Sequence, residues 1–147
     1  MKGIHHLLII DDEPQLRNML QRLFASEGYA VTTAETGAQA LQRLKAQRFH
    51  VVLCDVKLPD ANGVELTRAI KALQPDAEVI VLTAFGNIPD AVRAVQNGAF
   101  HYLVKGDDND KLIPTASRAL AKAQAQQQVE KSSHADPFDA VTGRTPA

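Results

Sequence analysis

The chain has 147 residues, 45% of them hydrophobic and 22% charged, with a formal net charge of −1. That is enough for one ordinary globular domain plus spare chain. A charge so near zero, with no basic run or stripe, excludes a surface built to neutralise nucleic-acid phosphates.

Leu7-Leu8-Ile9-Ile10, ending at Asp11-Asp12, reads as a first buried strand. It is far too short, and too quickly followed by acid, to be a signal peptide or a membrane span, and Val79 to Leu82 fails the same length test. No membrane partner is expected. Pro14 then opens a helix, with Leu16, Met19, Leu20, Leu23 and Phe24 on one stripe and Gly28 at its end. Ala30 to Ala34 is a second strand, and Thr36-Gly37 opens a short helix with Ala40, Leu41 and Leu44 facing inward. Phe49 to Asp55 is a third strand, followed by a Leu58-Pro59-Asp60 turn. The only cysteine, Cys54, lies inside this strand, where it can form no internal disulfide; a reducing, cytoplasmic setting fits that usage.

Gly63 leads the next helix, with Leu66, Ile70 and Leu73 on one side and Pro75 closing it. Glu78 to Thr83 is a fourth strand. Ile88, Ala91, Val92 and Val95 mark a helix ended by Asn97-Gly98, and Phe100 to Val104 is a fifth strand running into Lys105. After Gly106-Asp107-Asp108, a last helix from about Asn109 carries Leu112, Ile113, Ala116, Leu120 and Ala123 on its apolar side. Ala123 to Gln128 could extend it by a turn or two, whereas Glu130 to Asp136 reads as a linker. Residues Pro137 to Ala147 hold too few apolar side chains for a core. The five histidines (His5, His6, His50, His101, His134) show no metal-ligand spacing.

Five strand–helix units at nearly even intervals imply an α/β fold, a doubly wound five-stranded parallel sheet with helices on both faces. In such a sheet the carboxyl ends of the strands share one edge, where ligands bind. Asp11 and Asp12, Asp55, Thr83 and Lys105 all fall there. Each alone also reads as polar punctuation at a strand end. Together, three carboxylates repel one another unless a hard cation sits among them, and an oxygen-rich carboxylate site suits Mg²⁺. A cation beside a free carboxylate, a hydroxyl and an ammonium is a phosphoryl-transfer layout.

From Leu7 to Gln124 the chain resembles the receiver domains of two-component response regulators. The resemblance rests on the acidic pair, on Asp55-x-x-Leu58-Pro59-Asp60-x-x-Gly63, on Thr83-Ala84, and on Tyr102 three residues before Lys105. It implies the flavodoxin-like receiver fold over residues 1–124. Asp55 would be the phosphoryl acceptor from a sensor histidine kinase, and Asp11, Asp12, Asp55 and the Lys57 carbonyl would hold Mg²⁺. Thr83 and Lys105 would contact the phosphoryl group, and Thr83 and Tyr102 would form the switch pair. Such a domain is no enzyme beyond its own phosphorylation and dephosphorylation. A phosphatase working through an aspartyl phosphate would need an acid where Lys57 stands. A phosphorylation-independent interaction module on this fold usually lacks part of the acidic set. One departure is Gly106, where receivers usually carry a proline after a cis bond; with no proline, a trans link is expected.

Pro137 to Ala147, PFDAVTGRTPA, is similar to the entry segment of the AAA+ ATPase domain in sigma-54-dependent transcriptional activators. That resemblance implies three parts: the receiver at 1–124, a helical extension and linker at 125–136, and the start of a truncated ATPase domain at 137–147. It also implies RNA polymerase sigma-54 and DNA as partners reached through further domains, and a homodimer through the last helix and linker. Ile113, Ala116, Leu120 and Ala123 are spaced for a short seam in such a dimer, or simply to cover the sheet.

Overall fold

The computed structural model describes residues 4–135, with side chains as far as residue 126. Five strands alternate with five helices: β1 His5–Ile10, α1 Pro14–Ser26, β2 Tyr29–Ala34, α2 Gly37–Ala46, β3 Val51–Asp55, α3 Gly63–Leu73, β4 Glu78–Thr83, α4 Ile88–Gln96, β5 His101–Val104 and α5 Leu112–Ala135. A single 3-10 turn, Asn109–Lys111, precedes α5. All four strand pairings are parallel, in the order β2-β1-β3-β4-β5. The expected doubly wound sheet is therefore present.

Alternate residues of each strand supply two cores, one on each face, as the two-residue period of a strand requires. Leu8, Ile10, Val52, Cys54, Val79 and Val81 pack with Ala40, Leu44, Val64, Leu66 and Ile70 of α2 and α3. Leu7, Ile9, Val51, Leu53, Ile80 and Leu103 pack with Leu20 and Phe24 of α1 and with Leu112, Ala116 and Ala119 of α5. Register sets the functional edge. Ile10 pairs with Cys54, so Asp11 and Asp55 leave adjacent strands side by side. Thr83 pairs with Val104, and the Lys105 N–H donates to the Thr83 carbonyl at 2.7 Å.

Two expectations need correction, and one open alternative is decided. Helix α5 continues to Ala135, through most of the segment expected as a linker from Glu130 to Asp136. Its Ala, Gln, Glu and Lys residues are good helix formers, and the first proline after Pro114 is Pro137. Ala116 and Ala123, two of the four residues spaced for a dimer seam, are fully buried within the domain and cannot meet a second copy. Finally, the apolar stripe of α4 faces outward: Ile88 is 80% exposed, Val95 58% and Val92 48%, with Ala94 the buried residue. Met19 of α1 and Leu73 of α3 are also exposed, while the rest of their stripes cover the sheet. Residues 137–147, similar to an ATPase entry segment, lie outside the described residues.

Strand β1 begins two residues earlier than its apolar run because His5 and His6 pair with Tyr29 and Ala30 of β2, and His50 braces His6 from the other side. The His6 N–H donates to His50 Nδ1 at 3.1 Å, and the His50 N–H donates to the His6 carbonyl at 2.9 Å. The His6 and His50 rings stack, with His5 edge-on to His50. Burial, then the neighbouring His5 and His6, hold the His50 pKa below its ordinary value near 6.5. The folded protein thus binds fewer protons here than the unfolded chain. Its contribution to stability is lost as pH falls below about 6.5. Denaturant unfolding between pH 7.5 and 5.5 should show a steeper loss for wild type than for His50→Asn, which keeps an acceptor but cannot protonate.

Candidate phosphoacceptor site

The site sits over the carboxyl ends of β1, β3, β4 and β5. Asp11 and Asp55 are buried and Asp12 is exposed, with carboxylate oxygens of all three within 4.8 Å of one another. No other such group occurs among the described residues. Lys105 Nζ stands 3.2 Å from Asp11 Oδ2 and 3.2 Å from Asp55 Oδ1. It enters from β5 through a stem 23% exposed.

Each group is held from more than one side. Asp11 Oδ1 accepts the Glu13 N–H at 2.9 Å, and the Asp11 carbonyl accepts Arg17 Nη1 at 2.8 Å. The Lys57 N–H donates to the Asp55 carboxylate. Gly63, at the start of α3, abuts the Asp55 main chain so closely that a Cβ would collide with the Asp55 carbonyl. Asn62 caps α3, accepting the Val64 N–H at 2.8 Å. Asp60 reaches across to α2, its two oxygens accepting the Gly37 and Ala38 N–H groups at 2.8 and 3.0 Å. The loop after β3 is therefore tied to two helix N-termini.

Electrostatics mark this edge as short of positive charge. Burial, and next the charge on Asp11, raise the Asp55 pKa, opposed by Lys105 and the Lys57 N–H. Burial works against the Lys105 ammonium, but Asp55 and Asp11 together outweigh it and raise its pKa. Three carboxylates against one ammonium leave a surplus of negative charge. Oxygen donors so arranged fit a hard divalent cation such as Mg²⁺. Burial, then Asp55 and Asp11, push the Cys54 thiol far up, so it is an inert core residue.

Thr83 ends β4 at this edge, and Tyr102 stands two residues back from it on β5, paired with Val81. The Thr83 hydroxyl accepts the Phe85 N–H at 3.2 Å and donates to the Phe85 carbonyl at 3.3 Å, so it is engaged by the β4–α4 loop. Tyr102 is half-buried against the α2–α4 side of the core. Its Oη is buried with no hydrogen-bond partner among the described residues. The expected site residues Asp11, Asp12, Asp55, Thr83 and Lys105 are thus at one edge. Lys57 is exposed, with its main chain at the rim. Sequence reasoning took Asp60 only as a turn residue. Its Asx-rich neighbourhood before Gly63 was the available signal, but its partners lie more than twenty residues away in the chain.

A buried hydroxyl without a partner costs roughly 1–3 kcal/mol. Tyr102→Phe should therefore be as stable as wild type or more stable, by about 1 kcal/mol, in urea unfolding. A loss of stability would show that the hydroxyl finds a partner in solution.

Residues 7–117 match the response regulator receiver domain family. The transcriptional regulatory protein GlrR of Escherichia coli K12 is 42% identical over 118 residues, covering 80% of this chain and 27% of GlrR. The chain thus spans about a quarter to a third of the length of the curated relatives it matches. Among solved structures, the beryllofluoride-activated NtrC4 receiver domain dimer is 33% identical, with a TM-score of 0.76 over 80% of this chain and 98% of that one. A Burkholderia pseudomallei response regulator with a phosphorylated aspartic acid, calcium ion and citrate is 32% identical. Its TM-score is 0.73, covering 86% of this chain and 74% of that one. With the sheet order, the acidic edge and these likenesses together, the chain belongs to the response regulator receiver domains of two-component systems.

Proposed function

We propose that Asp55 is the phosphoryl acceptor and that its phosphorylation repacks the Thr83–Tyr102 side of the domain. The observation that carries this reading is Lys105 Nζ, 3.2 Å from Asp55 and from Asp11, beneath the three clustered carboxylates. A carboxylate oxygen of Asp55 attacks the phosphorus of a phosphohistidine on a sensor kinase, or of a small phosphodonor. From phosphohistidine the P–N bond breaks and its electron pair returns to the imidazole. From an acyl phosphate donor the P–O bond breaks and the pair leaves on the donor's carboxylate. In both cases an acyl phosphate on Asp55 remains. Lys105 exchanges a carboxylate for a phosphoryl oxygen. Asp11, Asp12, Asp55 and the Lys57 carbonyl would hold Mg²⁺, which when bound neutralises charge on the phosphoryl oxygens.

The Thr83 hydroxyl then has a stronger acceptor than the Phe85 carbonyl. Moving toward it frees the β4–α4 loop and opens space for the Tyr102 ring, whose hydroxyl has no partner among the described residues. The surface that changes is the exposed apolar side of α4, with Phe85, Ile88, Val92 and Val95. Two copies of the chain would pack there and along the outer side of α5, giving a homodimer. The activated NtrC4 receiver dimer supports this reading.

For the whole protein, we propose a cytoplasmic regulator in which this receiver governs a sigma-54-dependent activator. The curated relatives are transcriptional regulators, and residues 137–147 are similar to the ATPase entry segment. Its kinase, RNA polymerase sigma-54 and DNA would be the partners. In a ¹⁵N spectrum, beryllium fluoride or acetyl phosphate with Mg²⁺ should shift amides around Asp55, Thr83 and Tyr102. Asp55→Asn should respond to neither reagent. A wild type inert to both would sink the assignment.

A further inference from the structure

The loop from β5 to α5 holds three consecutive N–H groups around Lys105. The Val104 N–H donates to Asp108 Oδ2 at 2.8 Å. The Lys105 N–H donates to the Thr83 carbonyl at 2.7 Å. The Gly106 N–H donates to Asn109 Oδ1 at 3.0 Å. Asp108 also returns its own N–H to the Val104 carbonyl at 2.9 Å and pairs with Lys111 at 3.4 Å. Two of the three donors are therefore satisfied by side chains from one short turn.

Gly106 makes this arrangement possible. Its φ of +85° lies in the left-handed region, which glycine enters without steric cost. A proline at this position would have φ near −65° and no N–H for Asn109. The peptide bonds of the described residues are all trans. A trans glycine turn with two Asx acceptors and a rigid proline turn are thus mutually exclusive ways to hold the same lysine. A left-handed glycine alone would leave the Lys105 main chain free to swing. The two side-chain acceptors remove that freedom.

We infer that Asp108 and Asn109 are positioning residues that clamp the Lys105 main chain, through the N–H groups of Val104 and Gly106, so that its ammonium meets Asp55 and the incoming phosphoryl group. This rests on the role proposed for Lys105. Neither side chain touches the reacting atoms; both act through the lysine. A misplacement of an ångström at a charge-stabilising group costs up to about a hundredfold in rate, and the clamp's loss should cost part of that.

The test is the rate of Asp55 phosphorylation by acetyl phosphate with Mg²⁺, alone and in combination with Lys105→Ala. Asn109→Ala, at an exposed position, and Asp108→Ala should each slow the reaction about 5- to 20-fold. Asp108→Asn, which keeps an oxygen for the Val104 N–H, should restore most of the loss. In a Lys105→Ala background neither substitution should slow the reaction further. Multiplicative losses in that background, or single variants as fast as wild type, would overturn the clamp while leaving the lysine's role standing. A Lys105→Ala protein phosphorylated at the wild-type rate would instead overturn the lysine's role, and the clamp with it.

Discussion

The meeting of Asp11 and Asp55 at the ends of adjacent strands is the constraint around which this domain is arranged. Parallel register places two buried carboxylates side by side, and the exposed Asp12 adds a third. Such crowding opposes ionisation unless charge of the opposite sign is close. Lys105, drawn from the far side of β4, bridges the two buried groups. Its reach depends on β5 lying beside β4, which depends in turn on the apolar strands that bury the sheet on both faces. The core therefore holds like charges together at this edge, with Lys105 offsetting part of their repulsion.

Much of this was legible in the amino-acid order because it is local. Apolar runs bounded by Asp, Thr or Lys locate buried strands and name the residue each one delivers, and the helical stripes between them impose the crossovers. What was not legible is mostly long-range. Gln74, buried, accepts the Phe49 N–H and donates to the Leu44 and Gln47 carbonyls, closing the α2–β3 loop from a position far along the chain. Asp60 grips the start of α2 in the same manner. Nothing in the spacing of either residue announces these partners. Asp108 reads as part of the turn and Asn109 as the start of the last helix; which N–H groups they accept depends on the sign of φ at Gly106.

Periodicity also says less about direction than about existence. The stripe of α4 identified a helix correctly, yet those side chains face solvent, since Ala94 on the opposite side makes the close approach to the sheet. The stripe of α5 was ambiguous between sheet and second copy, and burial of Ala116, Ala119 and Ala123 resolves it toward the sheet. A small residue against a strand and a large one facing outward is the reverse of the usual pattern. It leaves α4 seated on the sheet mainly through one small buried residue.

The contact of Gly63 with the Asp55 main chain has a mechanical meaning. On one side the Asp55 main chain rests against the first turn of α3, which its cap and Asp60 tie into the remainder of the fold. A backbone packed this closely has little room to shift on that side. On the other side stand a hydroxyl with a weak local partner, a ring with a stranded oxygen and a thinly packed helix. The pocket thus behaves as an anvil facing a spring. A load placed on the Asp55 side chain would meet firm packing on one side and looser packing on the other, so the direction of yielding is built into the fold.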